Sequence, residues 1–294
     1  MDNVYLFLYY FLKFFAKLPM CILKKIGHFI GFLAYHLDKK HRKIVLKNFD
    51  ICFLDMSEEE KIKTAKNLYK NYGEYIFWYF KLLNMNKDEI LNIVEFKNEQ
   101  ILKSSLDNNE KIIFITAHFG MWELLPSAVA MKFGKKIAIV GRDLDSKKMN
   151  EVLEENREKN GIKLISKFGG AKEMIKSLRN DYALGILTDQ DCDLREGFVY
   201  EINGYKLTQS KIASKIALKH DATMIFTYIY KENDKFVIEF FDKVYKDESI
   251  DEKSNEEILT KKQLEVTSYF WTKYKDEYFW FHKRFKSFHE DKYK

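Results

Sequence analysis

From Ile112 onward, short apolar runs alternate with helical stretches, and this alternation restricts the possible folds more than any other feature of the chain. Four strand-like runs are separated by helices predicted near residues 122–132, 147–159 and 170–179; the runs are Ile112–Ile115, Ile137–Val140, Lys163–Ile165 and Ala183–Leu187. Strands that alternate with helices predict a mainly parallel sheet with helices on both faces. We therefore expect an α/β fold with a mainly parallel, mixed sheet flanked by helices.

Two further runs follow a helix predicted near residues 208–219. They are Thr223–Tyr230 and Phe236–Phe241, with only a short connection between them. This arrangement predicts an antiparallel hairpin at one edge of the sheet. Outside the sheet, Ser57 and Glu60 form a capping-box pattern that predicts the start of a helix, and a last helix is predicted from about residue 255 to 274.

A histidine follows the first strand-like run, and a carboxylate follows five positions later. His118 lies directly after Thr116 and Ala117, and Glu123 stands near the start of the next helix. With Gly120 allowing a tight bend, Glu123 can orient one ring nitrogen while the other accepts a proton from an alcohol. The alternative is a purely structural histidine bonded to a helix-start glutamate, and the spacing leaves both interpretations open.

Polar residues also follow the other strands. Arg142 comes after the second run, and Asp189 and Gln190 come after the fourth. The carboxyl ends of parallel strands share one crevice, where Arg142 can bind a phosphate or an oxyanion. A surface salt bridge for Arg142, and loop ordering by Asp189 and Gln190, are the structural alternatives.

Composition excludes several classes of protein. Of 294 residues, 46% are hydrophobic and 32% are charged, which predicts a folded core. The three cysteines form no metal-spaced cluster or paired framework, which favours a reducing, cytosol-facing compartment. No nucleic-acid-binding signature is present. We therefore expect neither a metal site nor a nucleic-acid partner.

The excess positive charge lies in residues 1–50, which we expect to form an N-terminal helical segment that associates with a membrane. This segment contains eight lysines and Arg42 but only three aspartates, and these charges are interspersed with long apolar and aromatic runs. This pattern is typical of attachment to an anionic membrane surface. An interfacial helix and one short span with snorkelling lysines both fit. We expect the remaining residues, 51–294, to form the second domain.

Several ordered blocks give the chain a resemblance to a known family, the late acyltransferases of lipid A biosynthesis, over about residues 15–287. The blocks are Leu18-Pro19 with Gly27 and Gly31, His118-Phe119-Gly120-Met121-Trp122-Glu123, Arg142, Arg157 with Gly161, Leu187-Thr188-Asp189-Gln190, and Phe279 to Lys286. The region Val199–Gly204 departs from the family pattern because it lacks a proline.

The resemblance implies transfer of a fatty acyl group from acyl carrier protein to a hydroxyl of a lipid A precursor, at the cytoplasmic face of a bacterial inner membrane. It implies His118 as the general base, Glu123 as its orienting carboxylate and Arg142 as a contact of the thioester or its oxyanion. Gly120, Trp122, Arg157, Asp189 and Gln190 are expected to contact substrate, and no cofactor or metal is expected.

Two other functions remain open. Relatives in the same superfamily acylate other glycolipids or glycerolipids, some of them from acyl-CoA, although the glycerolipid enzymes carry a Glu-Gly-Thr-Arg block that is absent here. A membrane-associated binding or scaffold protein without catalysis is the third possibility. The presence of both His118 and Glu123 counts against it.

Overall fold

The structure, a computed structural model, describes residues 2–141, 146–166 and 169–294. The helices are α1 (Asp2–Phe15), α2 (Met20–Leu37), α3 (Lys39–Cys52), α4 (Glu58–Leu82), α5 (Lys87–Asn92), α6 (Glu99–Asp107), α7 (Leu124–Phe133), α8 (Lys147–Glu158), α9 (Ala171–Arg179), α10 (Ile212–His220), α11 (Glu252–Lys273) and α12 (Lys286–His289), followed by a 3-10 helix (Glu290–Tyr293). The strands are β1 (Val94–Lys97), β2 (Lys111–Thr116), β3 (Ile137–Gly141), β4 (Ile162–Ser166), β5 (Ala183–Leu187), β6 (Gly197–Ile202), β7 (Tyr205–Ser210), β8 (Ala222–Glu232) and β9 (Lys235–Val244).

Seven strands form one mainly parallel sheet in the order β1-β9-β8-β2-β5-β3-β4, which confirms the predicted α/β fold class. Among its described strands, only β8 and β9 pair antiparallel. The predicted hairpin therefore exists, but its placement at an edge is wrong. The short strand β1, which the sequence analysis missed, pairs parallel with β9 and forms the edge itself. With only four residues and a single fully buried position, β1 has too little apolar pattern to stand out.

A second, two-stranded sheet replaces the start of a predicted helix. Strands β6 and β7 pair antiparallel, and α10 begins only at Ile212, although the helix was predicted from about residue 208. Asn203 and Gly204 join the two strands with φ of 51° and 81°. An Asn-Gly pair with both φ values positive is the usual two-residue hairpin connection, so the sequence did contain a signal for this hairpin.

The N-terminal helices pack directly onto the rest of the protein. A Cβ added to Gly27 on α2 would lie 2.7 Å from the carbonyl oxygen of Gly73 on α4, so only glycine allows the two helices this close approach. Helix α3 buries Val45 and Phe49 in the core. Helix α4 begins with the predicted capping box at Ser57. None of the helices within the described ranges has both the length and the apolar character needed to cross a membrane.

Candidate active site

The loop between β2 and α7 carries His118 and is held by the C-terminal part of the chain. The N–H of Gly120 donates to the carbonyl of Glu277 (2.8 Å), and the N–H of Phe279 donates to the carbonyl of His118 (2.8 Å). Gly120 has a φ of 53°, and a Cβ there would lie 2.4 Å from the carbonyl oxygen of Ile229. Only glycine fits this bend, so Gly120 shapes the loop that presents His118.

His118 forms its principal hydrogen bond with Asp189. The Nδ1 atom lies 3.0 Å from Oδ1 and 3.2 Å from Oδ2 of that carboxylate. Sheet register explains the pairing: Thr116 at the end of β2 lies opposite Leu187 at the end of β5, and each functional residue follows two positions later. Neighbouring parallel strands therefore bring the histidine and the aspartate together at their carboxyl ends.

Burial and charge set the protonation of this pair. Burial lowers the pKa of His118, but the Asp189 carboxylate outweighs it, so the net shift is upward. Burial also works to raise the pKa of Asp189, yet the pKa of this carboxyl lies well below its usual value because His118 stabilises the anion. Since an ionised carboxylate only accepts hydrogen bonds, Nδ1 of His118 carries the proton and Nε2 is the basic nitrogen.

Glu123 is not the hydrogen-bond partner of His118, contrary to the prediction from their spacing. Its Oε2 accepts from Nη2 of Arg157 at 3.0 Å, and both side chains are partly exposed. Glu123 directly precedes the first residue of α7. Asp189 lies beside His118 because β5 is the neighbour of β2 in the sheet. Glu123 is still near enough to raise the pKa of His118 further.

A buried hydrogen-bond network supports the loop that carries Asp189. The Tyr278 hydroxyl donates to the backbone carbonyl of Asp189 (3.1 Å), and the Gln209 amide donates to the carbonyl of Thr188 (2.7 Å). Arg284, which is fully buried, donates to the Gln209 side-chain oxygen (2.8 Å). These groups fix the backbone on which Asp189 sits. The sequence analysis noted the block Phe279–Lys286 but assigned it no role.

An apolar cavity of about 320 Å³ opens beside His118. We call the part of its lining formed by Thr116, His118, Trp122, Glu123 and Arg157 its mouth. Its other lining residues come from the sheet and from α7. This volume is within the range of small-molecule sites. The mainly apolar walls fit a hydrocarbon chain better than a polar ligand.

Thr116 adds a polar group at this mouth that the sequence analysis did not identify. Its hydroxyl is buried and has no hydrogen-bond partner among the described residues. Because a buried hydroxyl without a partner is costly, Thr116 is suited to bind a polar atom of a ligand in the cavity.

A second apolar cavity of about 240 Å³ lies on the other side of Trp122, between the loop and α4. Tyr72, Tyr79 and Phe80 of α4 line it together with Met121. The Trp122 ring lies 5.2 Å from the His118 ring, measured between centroids, and it lines both cavities. The site therefore offers two apolar spaces, both bordered by Trp122 and Glu123, and His118 lines the first of them.

The structure brings most of the predicted site residues together. His118, Gly120, Trp122 and Glu123 share one loop, Asp189 contacts His118, and Arg157 contacts Glu123. Gln190 is exposed beside Asp189. Arg142 lies outside the described residues. Within the described part of the chain, no three histidine, cysteine, aspartate or glutamate side chains are grouped as a metal site would require.

The fold and the site together define an α/β protein with a histidine–carboxylate pair at the carboxyl edge of a parallel sheet, next to apolar cavities. Comparison with known families narrows this class. The model for the bacterial lipid A biosynthesis acyltransferases matches residues 3–287, and the chain belongs to this family.

Curated relatives carry related names. The chain is similar to the lipid A biosynthesis myristoyltransferase of Escherichia coli (strain K12), with 26% identity over 170 residues that cover 58% of this chain and 51% of that protein. It is also similar to the lipid A biosynthesis acyltransferase 2 of Shigella flexneri, with 26% identity over 199 residues, or 65% of this chain and 62% of the relative. The matches thus span between half and two thirds of the relatives' lengths.

Proposed function

We propose that this protein is an O-acyltransferase that moves a fatty acyl group from acyl carrier protein to a hydroxyl of a lipid A precursor. The observation that carries this proposal is the basic Nε2 of His118, oriented through Nδ1 by Asp189, at the mouth of an apolar cavity. Family membership and the names of the relatives supply the substrate class.

In the proposed mechanism, the hydroxyl of the acceptor gives its proton to Nε2 of His118 while its oxygen attacks the thioester carbonyl carbon. The resulting tetrahedral intermediate collapses, and the carbon–sulfur bond breaks. The proton on Nε2 then passes to the departing thiolate, so the ester product, the carrier thiol and neutral His118 remain. Asp189 stabilises the imidazolium that exists between the two proton transfers.

Thr116, Glu123 and Arg157 complete the proposed site. The unpartnered Thr116 hydroxyl is placed to donate to the oxygen of the thioester carbonyl as it gains negative charge. The carboxylate of Glu123 raises the basicity of His118 through space, and Arg157 holds this carboxylate in position. Arg142 remains a proposed contact of the thioester or its oxyanion.

We propose that residues 1–50 attach the protein to the inner membrane and that residues 51–294 form the acyltransferase domain, facing the cytoplasm. Phe7, Phe14 and Phe29 are 72%, 70% and 60% exposed, which is unusual for aromatic side chains. Lysines of the same segment supply positive charge for anionic headgroups. Helix α1 also lies next to the site, because the Tyr9 hydroxyl accepts from Asn156, the neighbour of Arg157.

The decisive experiment is an acyl-transfer assay with the purified, detergent-solubilised full chain. Acyl carrier proteins loaded with chains of several lengths serve as donors, and Kdo-lipid IVA serves as acceptor. We expect an ester product with the wild type and a loss of at least about 10³-fold with His118→Ala. His220→Ala is the matched control. This histidine lies at the amino ends of the strands, where its carbonyl accepts from Lys111, the first residue of β2.

Each outcome has a definite meaning. Turnover by His118→Ala near that of the wild type would exclude the mechanism. Product from acyl-CoA but not from acyl carrier protein, or with another glycolipid as acceptor, would keep the reaction class and replace the substrate. No product with any donor and acceptor would favour a non-catalytic membrane protein.

A further inference from the structure

One position on the sheet lacks a side chain within the cavity beside His118. Across four strands, Phe114, Gly185, Ile139 and Leu164 occupy one row, as the registers of β2 with β5, β5 with β3 and β3 with β4 require. All four line the cavity. Because Gly185 has no Cβ, the space between Phe114 and Ile139 stays open, and the cavity extends between the sheet and α7.

The cavity continues down the sheet from this row. Gly141 and Ile137 both line it and lie at the two ends of β3. Four residues of a parallel strand span about 13 Å, so the space runs from the level of His118 well into the core. Gly185 lies about halfway along this path. A side chain there would divide the upper part of the cavity from the lower part.

We propose that Gly185, together with Ile139 opposite it, sets the length of the donor acyl chain that this protein accepts. The inference rests on the proposed function and adds a specificity-determining position to it. A Cβ added at Gly185 would lie 3.1 Å from Cγ2 of Ile139 and 3.8 Å from Cγ2 of Ile137. A methyl group therefore fits after a small shift of Ile139, and it occupies volume that a hydrocarbon chain would otherwise fill.

The two residues allow changes in opposite directions. Gly185→Ala adds one methyl group and shortens the cavity, whereas Ile139→Ala removes every side-chain carbon beyond Cβ and lengthens or widens it. The double variant removes the close contact between the new methyl group at position 185 and Ile139, and it should restore space for the hydrocarbon chain. If Gly185 and Ile139 act on one shared volume, the effects of the single variants on chain length will oppose each other, and the double variant will accept longer chains than Gly185→Ala alone.

The experiment compares the full chain with Gly185→Ala, Ile139→Ala and the double variant. Donor preference is measured with acyl carrier proteins that carry a graded series of saturated chains. We expect Gly185→Ala to move the optimum to shorter donors and Ile139→Ala to move it to longer ones. Each methylene that no longer fits should weaken binding by about fourfold. Ile186→Ala is the matched control, because Ile186 is equally aliphatic but faces the other side of β5, away from the cavity.

A binding assay separates this inference from the proposed reaction. Free saturated fatty acids of increasing length displace a fluorescent polyene fatty acid from each variant, and no transfer is needed. A shift of the length cut-off in Gly185→Ala, with no acyl transfer by any variant, would support the cavity assignment and reject the reaction. Thermal unfolding confirms that each variant is folded.

Other outcomes overturn the inference. Unchanged length preference in folded Gly185→Ala and Ile139→Ala, both in transfer and in displacement, would show that the donor chain lies elsewhere. A change in preference for the acyl chains of the acceptor, but not for those of the donor, would assign the cavity to the acceptor lipid instead.

Discussion

The carboxyl edge of the sheet and the N-terminal helices differ in what they bury: the first buries a charged group, and the second leaves apolar side chains exposed. At the sheet edge, Asp189 is fully buried and its charge is balanced by a hydrogen bond from His118. On α1, Phe7 and Phe14 remain about 70% exposed; the Phe7 ring stacks on Phe11, and the Lys17 amine lies over the Phe14 ring. Buried polar contacts hold the first region, whereas the second presents apolar side chains to solvent. The two regions should therefore respond to different substitutions.

The largest expected effect is that of Asp189→Asn. The amide keeps the shape of the carboxylate but no longer stabilises the imidazolium, so we expect turnover to fall by about 10²–10⁴-fold. Because Asp189 raises the pKa of His118, the rising limb of the pH–rate profile should also move to lower pH. Vesicle binding should not change. Wild-type turnover in this variant would reduce the His118–Asp189 bond to a structural role.

The reverse pattern is expected for Phe7→Ser with Phe14→Ser. Two exposed rings would no longer bury apolar surface in a bilayer, so affinity for vesicles that contain anionic lipid should fall by about 10²-fold. Turnover on detergent-dispersed substrate should persist. Sedimentation with vesicles provides the measurement, and Ile258→Ser, a substitution of an exposed residue on α11, provides the control. If Ile258→Ser lost as much vesicle affinity as the double phenylalanine variant, the proposal that the N-terminal helices form a specific membrane surface would be contradicted.

A smaller effect is expected within the site itself, from Thr116→Val. If the Thr116 hydroxyl donates to the carbonyl oxygen in the transition state, kcat should fall by about tenfold with little change in KM. Stability should hold or rise, because an unpartnered buried hydroxyl is removed. Thr188→Val is the comparison, since its hydroxyl is also buried without a partner among the described residues but does not line the cavity. An equal loss in both variants would argue against a role for Thr116 in the reaction.

Glu277→Gln should change turnover least but should change stability clearly. Glu277 lies between α4 and the His118 loop, because its side chain accepts from Tyr75 and its carbonyl accepts from Gly120. Burial raises the pKa of Glu277 to about 8, and Tyr75 of α4 donates a hydrogen bond to this carboxyl. The folded protein thus keeps a proton that the unfolded chain releases above a pH of about 4.5. Its free energy of unfolding should fall as pH rises from there to about 8, by up to about 1.4 kcal/mol per pH unit.

Glu277→Gln should flatten this dependence, which thermal or urea unfolding at several pH values will measure. Asp242→Asn, a substitution of a partly exposed carboxylate on β9, serves as the control. A pH dependence that survives in Glu277→Gln would show that Glu277 is not the group responsible.

Local patterns in the sequence predicted most of the fold, and they singled out His118 and Asp189, which the structure brings together, but they did not predict this pairing. The apolar run before His118 and the run before Asp189 were both recognised as strands, and both are strands of the same sheet. The order of strands along the chain does not reveal that β5 lies beside β2 in the sheet. The spacing therefore favoured Glu123, which is nearer in sequence, as the partner of His118. The hydrogen bond from Gln209 to Thr188 joins residues 21 positions apart, and that from Arg284 to Gln209 joins residues 75 positions apart. No local spacing predicts such contacts.

The attachment of the His118 loop to residues 277–279 also has a consequence for protein synthesis. The segment that contains Gly120 leaves the ribosome long before Glu277 and Phe279 are made, yet it needs their backbone groups to close its bend. Until then the N–H of Gly120 and the carbonyl of His118 have no protein partner. We therefore expect the nascent chain to hold His118 in its final position only after residues 277–279 have packed against this loop.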